Sequence, residues 1–189
     1  MKINSYAKIN LGLHVLDKRV DGFHNITTIF QEIDFYDQLI IEKSETMIFD
    51  TNVSWLDATN NTCISAIEIL KQYYPDVPNF KIFLQKNIPT NAGLGGGSSN
   101  GTAILKVINQ LCGLNIQEKE MKKLAEKISA DSTFFVDGGM QGAEEKGQKL
   151  YPIKNIKLDN YILLVMPNIK VQTSEAFMFI KKYLVKGET

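Results

Sequence analysis

Residues 89–99 read Pro89-Thr-Asn-Ala-Gly93-Leu-Gly-Gly-Gly-Ser98-Ser99, and a helical stripe of Ala103, Ile104, Val107, Ile108 and Leu111 follows at once, closed by Gly113. Glycines lack a Cβ, so this backbone can approach a ligand closely and turn through positive φ. Successive N–H groups then face inward, and the start of the helix adds its partial positive charge. That combination is an anion site, best suited to phosphate. A Walker loop needs lysine and then Ser/Thr after its last glycine; here Gly97 is followed by Ser98 and Ser99. The dinucleotide fingerprint needs glycine where Ser98 stands, within an early βαβ unit. A tight strand-to-helix connector is the plainer reading of a lone Gly-x-Gly. Gly93, Gly95, Gly96 and Gly97 with two serines, running straight into an amphipathic helix, favour phosphate.

Outward from this loop, residues 80–86 (FKIFLQK) alternate as a strand, and Pro89 opens the loop. Residues 62–74 predict an amphipathic helix with Ile64, Ile67, Leu70 and Tyr74 on one face, ended by Pro75 and Pro78. Residues 2–15 alternate as a strand through Ile3, Ser5, Ala7, Ile9, Leu11 and Leu13, with a breaker at Asp21-Gly22. Residues 26–34 are β-rich, and 38–49 carry two further β-favouring runs, QLIIE and MIF. Downstream, 117–128 predict a charged-faced helix, 133–137 (TFFVD) a short strand, 161–167 (YILLVMP) a buried strand and 174–184 a last helix. Early strands and later mixed helices indicate an α+β or mixed α/β domain without repeats.

The chain has 189 residues, 44% of them hydrophobic and 22% charged, which excludes wholesale disorder and allows a core without disulfide staples. Lysine plus arginine and aspartate plus glutamate both total 21, a balance that argues against a dedicated nucleic-acid binder. No apolar run approaches the roughly 18–20 residues of a membrane span. The N-terminus alternates where a signal peptide would be continuously apolar, so a cytoplasmic protein is expected. Cys63 and Cys112 lie far apart in helix-like segments and are expected to be buried thiols. Arg19 is the only arginine, so a phosphate site must rely on lysines and backbone amides.

The stretch from Pro89 to Ser99 resembles the second motif of the GHMP kinase superfamily. Ala7-Lys8-Ile9-Asn10-Leu11, Asp21-Gly22-Phe23-His24, and Ala130-Asp131 followed by Phe134-Phe135 narrow the resemblance to the 4-diphosphocytidyl-2-C-methyl-D-erythritol kinase family. It runs collinearly from Lys2 to about Phe177. It implies the α+β fold of a GHMP kinase N-terminal domain, like the second domain of ribosomal protein S5, over residues 1–152, with the beginning of a C-terminal domain at 153–189. It also implies ATP-dependent phosphorylation of a hydroxyl on a cytidine-diphosphate-linked methylerythritol, with Mg²⁺.

On this resemblance Pro89, Gly93, Leu94, Gly95, Gly96, Gly97, Ser98 and Ser99 would cradle ATP, with Asn61 and Lys86 on the adenosine side. Lys8 and Asp131 would be the pair at the reacting hydroxyl, and Asn10 would hold the substrate there. Phe23 would stack on cytosine with His24 supplying hydrogen bonds, and Thr173 and Phe177 would close over the base. The chemistry of the residues agrees: a carboxylate can accept the hydroxyl proton, a lysine offsets charge on the phosphoryl oxygens, and two phenylalanines can sandwich a flat base. Ser99 is the candidate Mg²⁺ ligand.

Taken singly, the same residues have plainer roles. Asn61 suits the N-cap of the helix from 62, Asp131 a helix cap, Lys86 the guard of an edge strand, and Phe23 and Phe177 the core. Three features depart from the family pattern. Ser129-Ala-Asp-Ser-Thr-Phe-Phe135 stands where Gly-Ala-Asp-Val-Pro-Phe-Phe is usual, and Phe23 stands where tyrosine is common. The family's remaining C-terminal lobe, with its third glycine-rich motif, has no counterpart up to Thr189, and apolar surface left uncovered would favour self-association. Another small-alcohol GHMP kinase, or a non-catalytic nucleotide-binding remnant, are the alternatives.

Overall fold

The structure, a computed structural model, describes residues 1–167 except 58, 60, 155 and 157. Its elements are β1 (Lys2–Lys18), β2 (His24–Ser44), β3 (Ile48–Thr51), α1 (Thr62–Tyr73), β4 (Asn79–Gln85), α2 (Gly96–Cys112) and α3 (Glu118–Ile128). A 3-10 turn (Ala130–Thr133), the short α4 (Phe134–Asp137), β5 (Met140–Glu145) and β6 (Lys149–Pro152) follow.

The sheet is organised around β2. β1 runs antiparallel along one side of it, pairing Lys8 with Glu32 and Asn10 with Phe30, and three register shifts bend the hairpin. The other side is shared: β5 pairs with residues 26–31 and β4 with residues 38–44. β3 joins β4 in parallel, the one such pair among the described residues, and β6 lies outside β5. The β-rich stretch expected over 26–34 and the QLIIE run at 38–42 are thus one continuous strand, because both halves find a partner.

Alternate residues of the sheet (Leu39, Ile41, Phe80, Ile82 and Leu84) point toward the helices, which answer with Ile67 and Leu70 of α1, Ile104, Leu105 and Ile108 of α2, and Met121 and Leu124 of α3. At about 25 cal/mol per Å² of apolar surface, this shared core is the main force holding the layers together. α2 packs tightly against α1 and α3: a Cβ at Gly101 would stand 3.0 Å from the Thr62 carbonyl and 3.0 Å from Ile128 Cγ2. Asn61 begins α1 by accepting from the Cys63 amide, and Gly113 ends α2 at φ 62°. Among the described residues, no helix is long and apolar enough to cross a membrane.

Two expected strands are corrected. Residues 133–137 are helical: Phe134 and Phe135 are both buried, on Phe30 and beside Gly95, which adjacent residues of a strand could not achieve on one face. Residues 161–167 are neither strand nor buried. Tyr161 and Leu163 lie exposed, and no described strand pairs with them; only Leu164 packs, against the cluster of Ala7, Ile88 and Leu94. Apolar composition alone cannot make a strand without a ladder partner. The thiols differ as well: Cys63 is buried, whereas Cys112 is half-buried near the end of α2. The helix expected over 174–184 lies outside the described residues, as do Thr173 and Phe177.

Candidate active site

The helix after the glycine run starts earlier than the apolar stripe suggests, at Gly96. Gly95 is its N-cap at φ 69°, and no side chain caps it. The Ser99 amide makes the first helical bond, to the Gly95 carbonyl. The amides of Gly96, Gly97 and Ser98 are therefore left for an external acceptor, the arrangement that binds anions. Packing also demands glycine here. A Cβ at Gly95 would stand 2.8 Å from the Phe135 ring, and one at Gly96 would stand 2.9 Å from Ile88 and 3.0 Å from Lys86 Nζ. Before them, Leu94 is buried and its carbonyl accepts from the Lys8 amide at 2.9 Å, so the loop is clamped to β1. Pro89 and Gly93 are exposed at the loop's mouth.

That clamp brings Lys8 to the loop. Its buried ammonium lies 3.4 Å from Asp131 Oδ2, donates to Asn10 Oδ1 at 2.8 Å and sits 4.7 Å above the Phe30 ring. Asn10 is fixed in turn: its amide donates to the Thr28 hydroxyl, which donates to the Gly12 carbonyl. Asp131 stands in the 3-10 turn with its side chain 34% exposed, open to a ligand on one side and facing a cation on the other. Lys8, Asn10, Asp131 and the glycine loop thus lie together. Thr28 and Phe30, which contact Asn10 and Lys8, were not singled out in the sequence; Phe30 faces Asn10 across the β1–β2 ladder and Thr28 faces Leu13, so no local pattern marked either.

Beneath the loop lies a second polar set. Asp37, fully buried, accepts from the amides of Asn87 and Ile88 through one oxygen, and from Lys86 Nζ (2.5 Å) and Asn100 through the other. Asn100 also donates to Ser5, whose hydroxyl donates to Ser99. Lys86 is therefore no edge guard: β4 is an inner strand and this ammonium is buried. Ser99 points its hydroxyl at Ser5 inside the protein, which does not fit the role of a metal ligand. Asn61 uses both ends of its amide, accepting from Cys63 N and donating to the Asp57 carbonyl. Among the described residues, no three His, Cys, Asp or Glu side chains gather to hold a metal ion.

Beside the pair, burial pushes Glu32 above the ordinary carboxylate range, opposed by Lys106 and a backbone hydrogen bond. Burial pulls Lys106 downward, opposed by Glu32 and Asp137, and its ammonium donates to the Phe135 carbonyl.

Phe23 and His24 sit elsewhere, at the turn between β1 and β2. Phe23 is 58% exposed, and its ring faces Lys146 Nζ at 5.3 Å, not Lys8 or Asp131. Arg19 and Lys146 both pair with Asp21 in this turn. An open cleft of about 640 Å³ lies beside it, lined by Leu16, Asp17, Arg19, Asn25 and Glu144 among others.

Residues 61–139 match the GHMP kinases N terminal domain. The chain is 38% identical over 176 residues to a protein of Persephonella marina, covering 93% of this chain and 64% of that one. It is 40% identical over 176 residues to one of Parabacteroides distasonis, covering 92% and 65%. Both are named 4-diphosphocytidyl-2-C-methyl-D-erythritol kinase, and the chain spans just under two thirds of their length. A crystal structure of 4-(cytidine 5'-diphospho)-2C-methyl-D-erythritol kinase superposes with a TM-score of 0.70 at 29% identity, over 81% of this chain and 55% of that one. The Methanococcus jannaschii mevalonate kinase, at 18% identity and a TM-score of 0.61 over 82% and 56%, shares the fold.

Proposed function

Because the chain belongs to the GHMP kinases, on the branch of the 4-diphosphocytidyl-2-C-methyl-D-erythritol kinases, we propose that it phosphorylates the 2-hydroxyl of 4-diphosphocytidyl-2-C-methyl-D-erythritol from ATP, a step toward isoprenoid precursors. The observation that carries this reading is the 3.4 Å approach of Lys8 Nζ to Asp131 beside an uncapped α2.

In this reading the Gly96, Gly97 and Ser98 amides hold the ATP phosphates. Asp131 accepts the proton of the substrate hydroxyl as its oxygen bonds to the γ-phosphorus and the bond to ADP breaks. Lys8 balances the carboxylate and the charge spreading over the phosphoryl oxygens, and Asn10 orients the hydroxyl. Lys86 and Asn61 act from beneath, as supports of the loop and of α1, in place of the adenosine contacts expected for them. Phe23 and His24 serve the cytosine from the hairpin turn. Mg²⁺ would enter with ATP, neutralising phosphate charge and taking its ligands largely from phosphates and water. Residues 1–152 form the nucleotide-binding unit of this scheme.

The test is ADP release with the cytidylated substrate. Asp131→Asn should lose on the order of 10²–10⁴ in turnover. An unchanged rate removes Asp131 from its role, and a folded chain that ignores ATP removes the reading.

A further inference from the structure

The turn that carries Asp131 is weakly built by itself. It is a four-residue 3-10 turn, no side chain caps it, and its central carboxylate is 34% exposed. Hydrogen-bond geometry in such turns is poorer than in an α-helix. Yet the turn is bound to α2 at several points. Ser129 Oγ donates to Ser98 Oγ at 2.7 Å. The Ser129 and Ser132 hydroxyls are 2.7 Å apart and hydrogen-bonded, and Ser132 Oγ also lies 3.4 Å from the Ser98 carbonyl. Thr102 Oγ1 reaches the Ser132 carbonyl at 2.9 Å and the Ser98 carbonyl at 3.0 Å. Ser98 belongs to the phosphate-facing first turn of α2. Ser129 and Ser132 flank Asp131, and Thr133, at φ −60°, follows them.

We propose that Ser129 and Ser132 are positioning residues, whose hydroxyl chain to Ser98 fixes the Asp131 carboxylate relative to the amides that hold phosphate. The inference rests on the kinase reading of this site. Asp131 then moves with the first turn of α2, and because Thr133 sits at φ −60°, a proline placed there would stiffen the same turn by another route. Displacing a catalytic group by about 1 Å can cost on the order of 10²-fold in rate, so one lost tether should be felt at the chemical step.

The experiment compares the full-length chain with Ser129→Ala, Ser129→Thr and Ser129→Ala/Thr133→Pro by steady-state ADP release and by amide hydrogen exchange. Ser129→Ala should lower kcat about tenfold, keep the KM for ATP within about twofold, and speed exchange of the 131–134 amides about tenfold while α1 exchanges as before. Ser129→Thr, which keeps the hydroxyl, should retain wild-type values, and the added proline should recover both readouts. Unchanged 131–134 exchange in Ser129→Ala overturns the proposal. So does an equal loss of kcat and ATP affinity accompanied by loosening of the whole domain. Faster local exchange in a chain that never turns over supports the tether and rejects the kinase reading.

Discussion

Lys86 and Asp37 form an ion pair inside the protein, with the ammonium directly under Gly96 at the start of α2. A charged pair buried this way costs most when half of it is removed. Asp37 also satisfies two amides of the segment leading into the glycine loop, so it joins β2, β4 and α2 at one point. Asp37→Ala should therefore destabilise the domain by about 3–5 kcal/mol, measured by urea unfolding. A loss below about 1 kcal/mol would show that the pair does not hold the loop's underside.

The glycines divide into those the loop requires and one it tolerates. Gly96→Ala drives a methyl against Ile88 and the Lys86 ammonium, whereas a Cβ at Gly97 finds its nearest atom, Thr62 Oγ1, at 3.7 Å. Gly96→Ala should lower ATP affinity at least tenfold and cost about 1–3 kcal/mol through overpacking. Gly97→Ala should stay within about 0.5 kcal/mol of wild type in stability. Calorimetric titration with ATP and thermal unfolding check the two; equal effects would refute the packing argument.

Thr133 carries a buried hydroxyl without a hydrogen-bond partner among the described residues. Its valine isostere keeps the shape and removes the orphan oxygen. Thr133→Val should stabilise the protein by about 1 kcal/mol, read as a higher urea midpoint at unchanged m-value. A destabilised variant would mean that the hydroxyl has an acceptor.

The thiols separate by burial. Cys63 is pushed up to about 12 from an ordinary 9.0, chiefly by burial, while Cys112 is half-buried. At pH 8 an alkylating reagent should modify Cys112 in the native protein and both cysteines after denaturation. The raised value also sets a sign. The folded protein keeps the Cys63 proton that the unfolded chain releases above pH 9, so this contribution to stability is whole below that pH and declines as the pH rises toward 12. Cys63→Ala should flatten the decline, and an unchanged slope would place the loss elsewhere.

What could be read from the sequence was contiguous. The glycine run, the strand carrying Lys8 and the amphipathic stripe of α2 each announce themselves within about a dozen residues, and together they specify the sheet-and-helix fold and the phosphate end of the site. Asp37 could not be read this way, because its partners lie about fifty residues downstream and only the folded sheet brings them near. Ser129 and Ser132 showed only as a departure from pattern, and their meaning came from α2. The aromatics at 134–135 suggested a strand because β propensity reflects packing surfaces, and here helical packing on Phe30 and beside Gly95 prevails. For 161–167, apolar character signalled burial that the described residues do not provide.

Gly101 gives α2 mechanical leverage. Its missing side chain lets a stiff rod rest on the Thr62 carbonyl and on Ile128, five residues, or about 7.5 Å, from the tip at Gly96. A larger or smaller side chain at Ile128 shifts the rod against its seat on Thr62, so a substitution there can still be felt where triphosphate would dock.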